Sequence, residues 1–595
     1  MAPIVNGHIL CLQSPFVPAY GQNSRVFRSY NVAVVVTICA VAGLPAVVRA
    51  QASAPCAGAP VSEVRVQTNR PQFDGPMRWW RTFARSLGLH HQTTDADLVR
   101  RFVTLDPGMS CTEFRRAESE RILRAQPFLA DATVSARRAG DSVAIDVETV
   151  DEVALVGAAR VRGASLGALS LGTLNFAGGG MHVEGRWEQG RALRDGFGAR
   201  LAHHQLLGRP YIITFDGLRR PLGEYYTTSL SHPFITDLQR VAWHAGYSVN
   251  KDFAALRRPD RSLLLQPVDR AKWHVGGVVR FGPPRRLGLI GGMILREHHS
   301  PRHEFLERRD DGSIQPASDT TGVRRYDDFN ATNVAGVLGL RALTFSRMRG
   351  LDALVAEQDV ATGTQIAATL GFRPAVERPL QDAFGVVDAY AGERSAKHFV
   401  GARLEIESRL DLDAGSWRHM VASGRAAWYF KPDDGWVSEL AVEGAGFWRS
   451  LLPVQIELGD RRSGVRGYVR SHEAGGRRLL ARLEQRFDVA RYRGSRAAIG
   501  VAAFADAGRT WHGDVPFGTD TPIRASAGAA ILAAVPARSQ RTMRAEVALP
   551  LDRSTGARPE LRFVVREPTR GFWFEPSSIR WARLAAVPEQ IFSWP

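Results

Sequence analysis

The chain has 595 residues, a formal net charge of +17 and a sequence pI of about 10.4. Nearly all of the positive charge comes from arginine, because the lysines are only Lys251, Lys272, Lys397 and Lys431. The arginines are spread along alternating apolar and polar segments rather than gathered in basic runs with aromatic residues, which argues against a nucleic-acid-binding protein.

Residues 1–52 are predicted to be a secretory signal region. Arg25 and Arg28 precede the apolar run NVAVVVTICAVAGLPAVV, which Pro45 interrupts, and small-residue cleavage patterns follow at 50–54. This run is too short and too broken to span a membrane stably, so it predicts export of the chain. No later stretch approaches 18 consecutive apolar residues, and the sequence therefore predicts no helical membrane span.

Residues 61–152 are predicted to form a small α+β domain. Apolar residues alternate in the strand-like segments, and the helical segments carry them three or four residues apart. The predicted elements are a strand at 61–68, a helix at 93–103, a second helix from 113 after a capping box at Ser110, and strands at 131–138 and 141–150.

Two cysteines, Cys56 and Cys111, remain once the signal region with Cys11 and Cys39 is removed. In an exported chain such a pair can form a disulfide. Two unpaired thiols are the alternative.

The stretch TLDPGMSCTEFRRAESERILRAQPFLADATV at 104–134 resembles the second half of a POTRA domain. That resemblance implies a periplasmic domain that holds client chains by adding a strand to a sheet edge. An edge strand suits this role because it offers unpaired N–H and C=O groups. A generic α+β spacer would show the same order of elements.

Residues 155–574 are predicted to form an all-β transmembrane β-barrel. Segments of about ten residues with period two follow one another, separated by turn residues. In RLLARLEQRFDV (478–489), for example, the apolar residues face one side and Arg482, Glu484 and Arg486 face the other. At roughly 26 residues per strand and loop, this stretch predicts about sixteen antiparallel strands.

A soluble β-sandwich would show the same alternation, with its charged face in water. Three features favour the barrel: the signal region, the long run without a helical segment, and tight turns that alternate with long polar loops such as 297–327. The fold class predicted is therefore a transmembrane barrel preceded by one small α+β, POTRA-like domain.

A dense Gly- and Arg-rich stretch, LGDRRSGVRGYVRSHEAGG, occupies 458–476 between two strand-like segments. It is followed about forty residues later by FADAG, with Phe504, Asp506 and Gly508. Period two places Phe504 and Asp506 on the inner side of their strand, opposite the apolar series Val501, Ala503 and Ala505.

GVRGY (464–468) and FADAG together resemble the BamA/TamA-type outer-membrane assembly family, also called the bacterial surface antigen family. In that family the loop folds back into the barrel and its arginine pairs with the acid of the second motif. The resemblance implies a loop-lock formed by Arg466, Gly467 and Tyr468 with Phe504, Asp506 and Gly508. Glu484, which faces inward on the neighbouring strand, could share the charge. An ordinary ion pair without a functional role is the alternative.

The family resemblance implies an outer-membrane protein that inserts or translocates polypeptides, with its POTRA-like domain in the periplasm. Its partners would be outer-membrane lipid and unfolded client polypeptides, and the resemblance is compatible with periplasmic or lipoprotein partners. No cofactor, metal or covalent chemistry is needed, so the chain is not expected to be an enzyme.

The sequence departs from the family pattern in two places. We find one POTRA-like unit, where the best-known members carry two or more. The last strand is expected at 560–567, with GFWF ending at Phe574, so that 575–595 form a tail. This tail is expected either to cover the seam between the first and last strands or to be disordered. SLGTLNFAGGGMHVEGRW (170–187) resembles the hairpin in which the family's first strand begins.

Other functions remain as alternatives. One is a two-partner-type secretion pore for a single dedicated substrate, and another is a passive, anion-selective porin with an Arg-lined channel. GASLG (163–167) matches a nucleophile-elbow pattern around Ser165, but no helix is predicted to follow it. A predicted loop contains the cluster His298, His299, His303 and Glu304. A solvated polar loop is a simpler interpretation of this cluster than a metal site.

Overall fold

The computed structural model describes residues 56–585 with several gaps. The predicted signal region and the GFWF segment lie outside the described residues. The gaps within the described range are 72–91, 163–164, 191–192, 261, 310–312, 324, 375–381, 462, 470, 493–495, 553–555 and 567–574.

The N-terminal domain is a four-stranded mixed sheet with two helices, in the strand order β2-β1-β4-β3. The central strands β1 and β4 run parallel, whereas β2 and β3 pair antiparallel at the two edges. Its elements are β1 (Ala57–Asn69), α1 (Ala96–Arg100), β2 (Ser110–Thr112), α2 (Glu113–Arg124), β3 (Leu129–Ala139) and β4 (Ser142–Asp151). The predicted small α+β domain is thus present.

The N-cap of helix α2 lies two residues later than the sequence predicts. Thr112, not Ser110, is its N-cap, and the Thr112 hydroxyl accepts a hydrogen bond from the Arg115 amide. Ser110 instead lies in β2, where its hydroxyl donates to the Gly58 carbonyl across the strand pair. Residues from both helices and from strands β1, β3 and β4 form one apolar core, and it includes Cys56 and Cys111, which are disulfide-bonded.

The remainder of the chain forms a closed barrel of antiparallel strands, in which β28 lies next to β5. The strands are β5 (Leu155–Arg162), β6 (Ser165–Phe176), β7 (Met181–Glu188), β8 (Gly196–His203), β9 (Ile212–Arg219), β10 (Glu224–His232), β11 (Val241–Arg257), β12 (Leu263–Phe281), β13 (Leu287–Pro301), β14 (Leu306–Arg308), β15 (Ile314–Pro316), β16 (Phe329–Arg349), β17 (Glu357–Phe372), β18 (Asp382–Arg394), β19 (His398–Asp411), β20 (Ser416–Phe430), β21 (Trp436–Trp448), β22 (Ile456–Glu457), β23 (Ala474–Gly475), β24 (Arg477–Tyr492), β25 (Ala497–Trp511), β26 (Arg524–Ala534), β27 (Thr542–Pro550) and β28 (Glu560–Arg566).

The wall of the barrel has more strands than the sequence predicts. β14 and β15 form a short hairpin beyond the wall, since β13 pairs directly with β16, and β22 pairs with β23 in a separate ribbon. Among the described residues this leaves twenty wall strands instead of about sixteen. The difference arises in 155–232, where six strands of eight to twelve residues follow one another through short turns. The average of roughly 26 residues per strand and loop does not hold there.

The hairpin that was predicted to begin the barrel is preceded by one further wall strand, β5. Residues 170–187 fall in the β6–β7 hairpin, and β5 precedes it directly after the N-terminal domain. Glycines at positive φ, Gly178 and Gly180, make the tight turn between the two strands.

Side chains alternate between the outside and the inside of the barrel along the wall strands. Large apolar residues on the outer face are exposed, as with Leu483 at 53% and Phe563 at 77%. Inward-facing neighbours such as Glu484 and Arg544 are buried. Within the described residues, no helix has the length and apolar character required to cross a membrane.

Helix α2 of the N-terminal domain packs against turns at one end of the barrel. Arg124, on its last turn, pairs with Asp359 at 2.7 Å and with Glu120 at 2.7 Å, and all three side chains are largely buried. One turn earlier, Glu118 accepts a hydrogen bond from the Thr236 hydroxyl at 2.7 Å. The domain is therefore fixed over this end of the barrel by charged groups that are shielded from water.

Candidate functional site

The loop of residues 449–476, which joins β21 to β24, lies inside the barrel. Its β22–β23 ribbon and the apolar side chains Leu458, Val465 and Tyr468 are buried. The loop is thus in contact with the inner wall, and it brings Arg466 to the inward-facing side chains of β24 and β25.

Arg466 is clamped to Asp506 by three hydrogen bonds. Its Nε and Nη2 donate to the two carboxylate oxygens, each at 2.7 Å, and its backbone amide donates to Oδ2 at 3.2 Å. Arg466 is 3% exposed and Asp506 is 2% exposed. The guanidinium also lies 3.4 Å from the centre of the Phe504 ring. A planar, two-donor group fits this place, whereas lysine would offer a single charged point.

Further carboxylates surround the guanidinium. Its Nη1 lies 3.3 Å from Glu484 and 3.5 Å from Glu546. Arg544 donates to both oxygens of Glu484, at 2.8 and 2.9 Å, and Arg562 approaches Glu546 at 3.3 Å. The result is an alternating network of arginines and acids that ties the loop to strands β24, β25, β27 and β28.

The surroundings of Arg466 keep it charged. Burial lowers its pKa, but the hydrogen bonds that it donates to Asp506 and the charges of Asp506, Glu484 and Glu546 outweigh burial, so the pKa is raised. The guanidinium of Arg466 is therefore kept in its charged form.

The neighbouring loop residues fit the wall closely. Gly467 has φ of 85°, and its amide donates to Glu560 at 2.9 Å. The Tyr468 hydroxyl donates to the Ala525 carbonyl at 3.1 Å. A Cβ on Gly508 would lie 2.9 Å from the Leu479 carbonyl oxygen and 3.0 Å from Val465 Cγ2, so only glycine lets the loop approach here.

Two wall arginines hold the main chain of the loop. Arg478 donates to the carbonyls of Glu457 and Ser463 at 2.8 and 2.9 Å, and Arg482 donates to the Gly464 carbonyl at 3.0 Å. Together with Arg544, Glu546 and Arg562, these residues are part of the site that the sequence analysis did not identify. Their inward parity was the available signal, since each alternates with an outward apolar residue.

The described part of the C-terminal tail, residues 575–585, lies neither at the seam between the first and last strands nor in a disordered state, which were the two expectations. Residues 575–585 lie inside the barrel, with a short helix α3 (Ser577–Ala582) whose Ile579 and Ala582 are buried. α3 packs with Leu452 and Val454 of the loop. The described part of the tail therefore neither covers the seam outside the barrel nor lacks structure.

The two competing constellations do not form sites. Ser165 is the first residue of strand β6, so no helix follows it as a nucleophile elbow requires. His298 and His299 lie on strand β13 rather than in a loop, and His299 is buried against Phe329. Over the described part of the chain, no group of three or more His, Cys, Asp or Glu is arranged to hold a metal ion.

No protein-family model matches the chain, and no curated protein sequence matches it. Solved structures with a similar architecture include BamA from Haemophilus ducreyi lacking POTRA domains 1–3, at 13% identity and a TM-score of 0.38, with 85% of this chain and 84% of that chain covered. CdiB from Escherichia coli has 9% identity and a TM-score of 0.42, with 85% and 75% covered. CdiB from Acinetobacter baumannii has 6% identity and a TM-score of 0.38, with 85% and 73% covered. The buried clamp between Arg466 and Asp506, inside a closed barrel, is therefore the candidate functional site on the chain's own geometry.

Proposed function

We propose that the chain is an outer-membrane β-barrel protein that inserts or translocates polypeptides, with its POTRA-like domain in the periplasm. The observation that carries this proposal is the combination of a closed barrel, apolar on the outside, with a small domain that presents a free sheet edge at one mouth. A closed barrel leaves no unpaired strand, and this is the condition that hydrocarbon imposes on a spanning β-structure. The exposed apolar side chains of the wall then contact lipid.

The sheet edge of the N-terminal domain is the client-docking surface in this proposal. Strand β3 pairs with β4 on one side only. Its first part is already covered, since Arg116 donates to the Val134 carbonyl and Arg124 to the Ala132 carbonyl. Residues 135–139 are mostly exposed and form the open part of the edge, where an extended client segment can add a strand.

A photo-crosslinking residue at Arg138 is expected to capture unfolded outer-membrane clients. The matched control is the same residue at Glu148, which is also exposed but lies on β4, where both sides of the strand are paired. Crosslinks should form at position 138 and be several-fold weaker at 148, because main-chain pairing is possible only at the edge. Equal capture at both positions would count against docking by strand addition.

Depletion of the protein tests the function itself. In a depleted strain, a census of outer-membrane and secreted proteins is expected to show a several-fold loss of particular β-rich clients, with their unfolded forms accumulating in the periplasm. An unchanged census would contradict the proposal. A loss confined to one large secreted protein would identify the second candidate, a dedicated secretion pore.

The two segments inside the barrel count against the third candidate, a passive anion-selective porin. The described residues of the 449–476 loop and of the 575–585 tail occupy the lumen, and each segment forms an ion pair with the wall, Arg466 with Asp506 and Arg583 with Glu405. A constitutive channel would need a continuous open path past both segments.

A further inference from the structure

The tail crosses the interior between wall strands that are not neighbours. Its contacts on one side are Arg270 and Lys272 of β12, and on the other Glu405 and Glu407 of β19. Four strands of the wall lie between β12 and β19. At one end, Ile579 and Ala582 of α3 belong to the same apolar cluster as Leu452 and Val454 of the loop, and at the other end Ala585 belongs to an apolar cluster of wall residues that also includes Phe234.

The wall binds the main chain of the tail. Lys272 Nζ donates to the carbonyl oxygens of Arg583 and Leu584, both at 2.9 Å, and Arg270 donates to the Arg583 carbonyl at 3.0 Å. Glu407, which is fully buried, accepts from the amides of Leu584 and Ala585 at 2.9 and 2.8 Å. Donors and acceptors are thus placed for consecutive peptide groups, and peptide groups are common to every polypeptide.

The wall also binds the Arg583 side chain. Its Nε lies 3.2 Å from Glu405, and its Nη2 donates to the Ser423 hydroxyl at 3.0 Å. Within the tail, Glu575 accepts from the same guanidinium at 2.6 Å. An extended segment with one arginine therefore satisfies buried charges that water does not reach.

We infer that the inner wall carries a peptide-binding site, formed by Arg270, Lys272, Glu405, Glu407 and Ser423, for an extended polypeptide segment that contains arginine. Residues 583–585 fill it in the resting protein. This inference rests on the proposed function, since it gives a passing polypeptide a place inside the barrel once the tail leaves. The tail and the client compete for the same main-chain contacts.

Peptide binding in detergent tests the site directly. The probe is a fluorescein-labelled peptide of residues 575–585, and the protein is the chain with 575–595 deleted, checked for a folded barrel by its heat-modifiable gel mobility. Saturable binding is expected for the deleted chain, and at least tenfold weaker binding for the full chain, whose tail occupies the site. A peptide carrying Arg583→Ala should bind the deleted chain at least tenfold more weakly, and a scrambled peptide controls for non-specific binding.

Wall variants of the deleted chain locate the binding. Glu407→Gln is expected to weaken the peptide at least tenfold, because both peptide amides donate to Oε1 of Glu407, and this oxygen loses its negative charge in the variant. The matched control is Asp216→Asn, an inward carboxylate on β9 that pairs with Arg186 and does not touch the tail. Absence of binding to the folded deleted chain, or equal binding to the Glu407→Gln and Asp216→Asn variants, would overturn the inference.

A full-length variant covers the case in which deletion prevents folding. Glu575→Ala with Arg583→Ala loosens the tail without altering the wall, so the labelled wild-type peptide should gain at least tenfold in affinity over the unmodified full chain. Unchanged exclusion of the peptide would contradict the inference. Both assays measure binding only, so an unchanged client census on depletion would remove the proposed function while leaving the site in place.

Discussion

Replacing Arg466 with alanine is expected to leave the barrel closed but to free the internal loop and abolish most client insertion. The change leaves Asp506 buried without the cation that it binds, and it removes one cation from the cluster around Glu484 and Glu546. Removal of one partner from a buried pair costs on the order of 3–5 kcal/mol. The loss should appear as a lower temperature for the heat-modifiable transition and as rapid proteolysis within 449–476.

The loop offers a matched control in Arg461, which is exposed and whose main-chain carbonyl accepts a hydrogen bond from Arg562. Arg461→Ala should behave as the unmodified chain. Arg466→Lys should recover only part of the stability, because lysine cannot form two parallel bonds to Asp506. In a double-mutant cycle, Arg466→Ala and Asp506→Ala should couple by more than about 1 kcal/mol. Purely additive effects would show that the pair does not act as a lock.

Replacing Arg124 with alanine is expected to loosen the attachment of the N-terminal domain to the barrel. Arg124 joins Glu120 of the domain to Asp359 at the start of β17, and its side chain is 3% exposed. Its removal leaves the largely buried Asp359 without this cation, whereas Glu120 keeps its pairs with Arg116 and Arg347, and the cost is again on the order of 3–5 kcal/mol. Spin labels at Asp141 in the domain and Lys397 on a barrel turn should show a narrow distance distribution that broadens in the variant.

Arg137→Ala is the control for this experiment. Arg137 pairs with Asp146 within the domain, and its side chain is 54% exposed, so the pair contributes about 1 kcal/mol or less. The distance distribution should stay narrow. Broadening in both variants, or in neither, would mean that Arg124 does not fix the domain to the barrel.

The inward or outward direction of the wall side chains could be predicted from sequence because it depends on period two alone. Phe504 and Asp506 alternate with Ala503 and Ala505, so their inward direction is set within this strand and does not depend on the other strands. The barrel class needed more than this alternation, namely the signal region, the long run without a helical segment and the pattern of tight turns and long loops, and the structure confirms it. The strand number was wrong because it depends on turn lengths, and the short turns of 155–232 carry no signal that a fixed average can detect.

The partners of the loop and the tail could not be predicted because they are set by closure of the ring. Glu546 and Arg562 face inward by parity, but their nearness to Arg466 depends on which strands surround the loop tip. Arg270 and Arg583 are 313 residues apart, and 575–585 has no period that would place it inside a barrel. Local patterns give the direction of a side chain, and tertiary closure gives its partner.

The diameter of the barrel has a consequence for ion flow through its interior. With twenty strands about 4.8 Å apart and tilted by about 40°, the backbone cylinder is about 40 Å across. Side chains alone cannot fill a bore of that size. If the proposed function holds, the loop and the tail are the segments that limit ion flow through the ring, and a polypeptide that displaces either segment has to fill the same space while it passes.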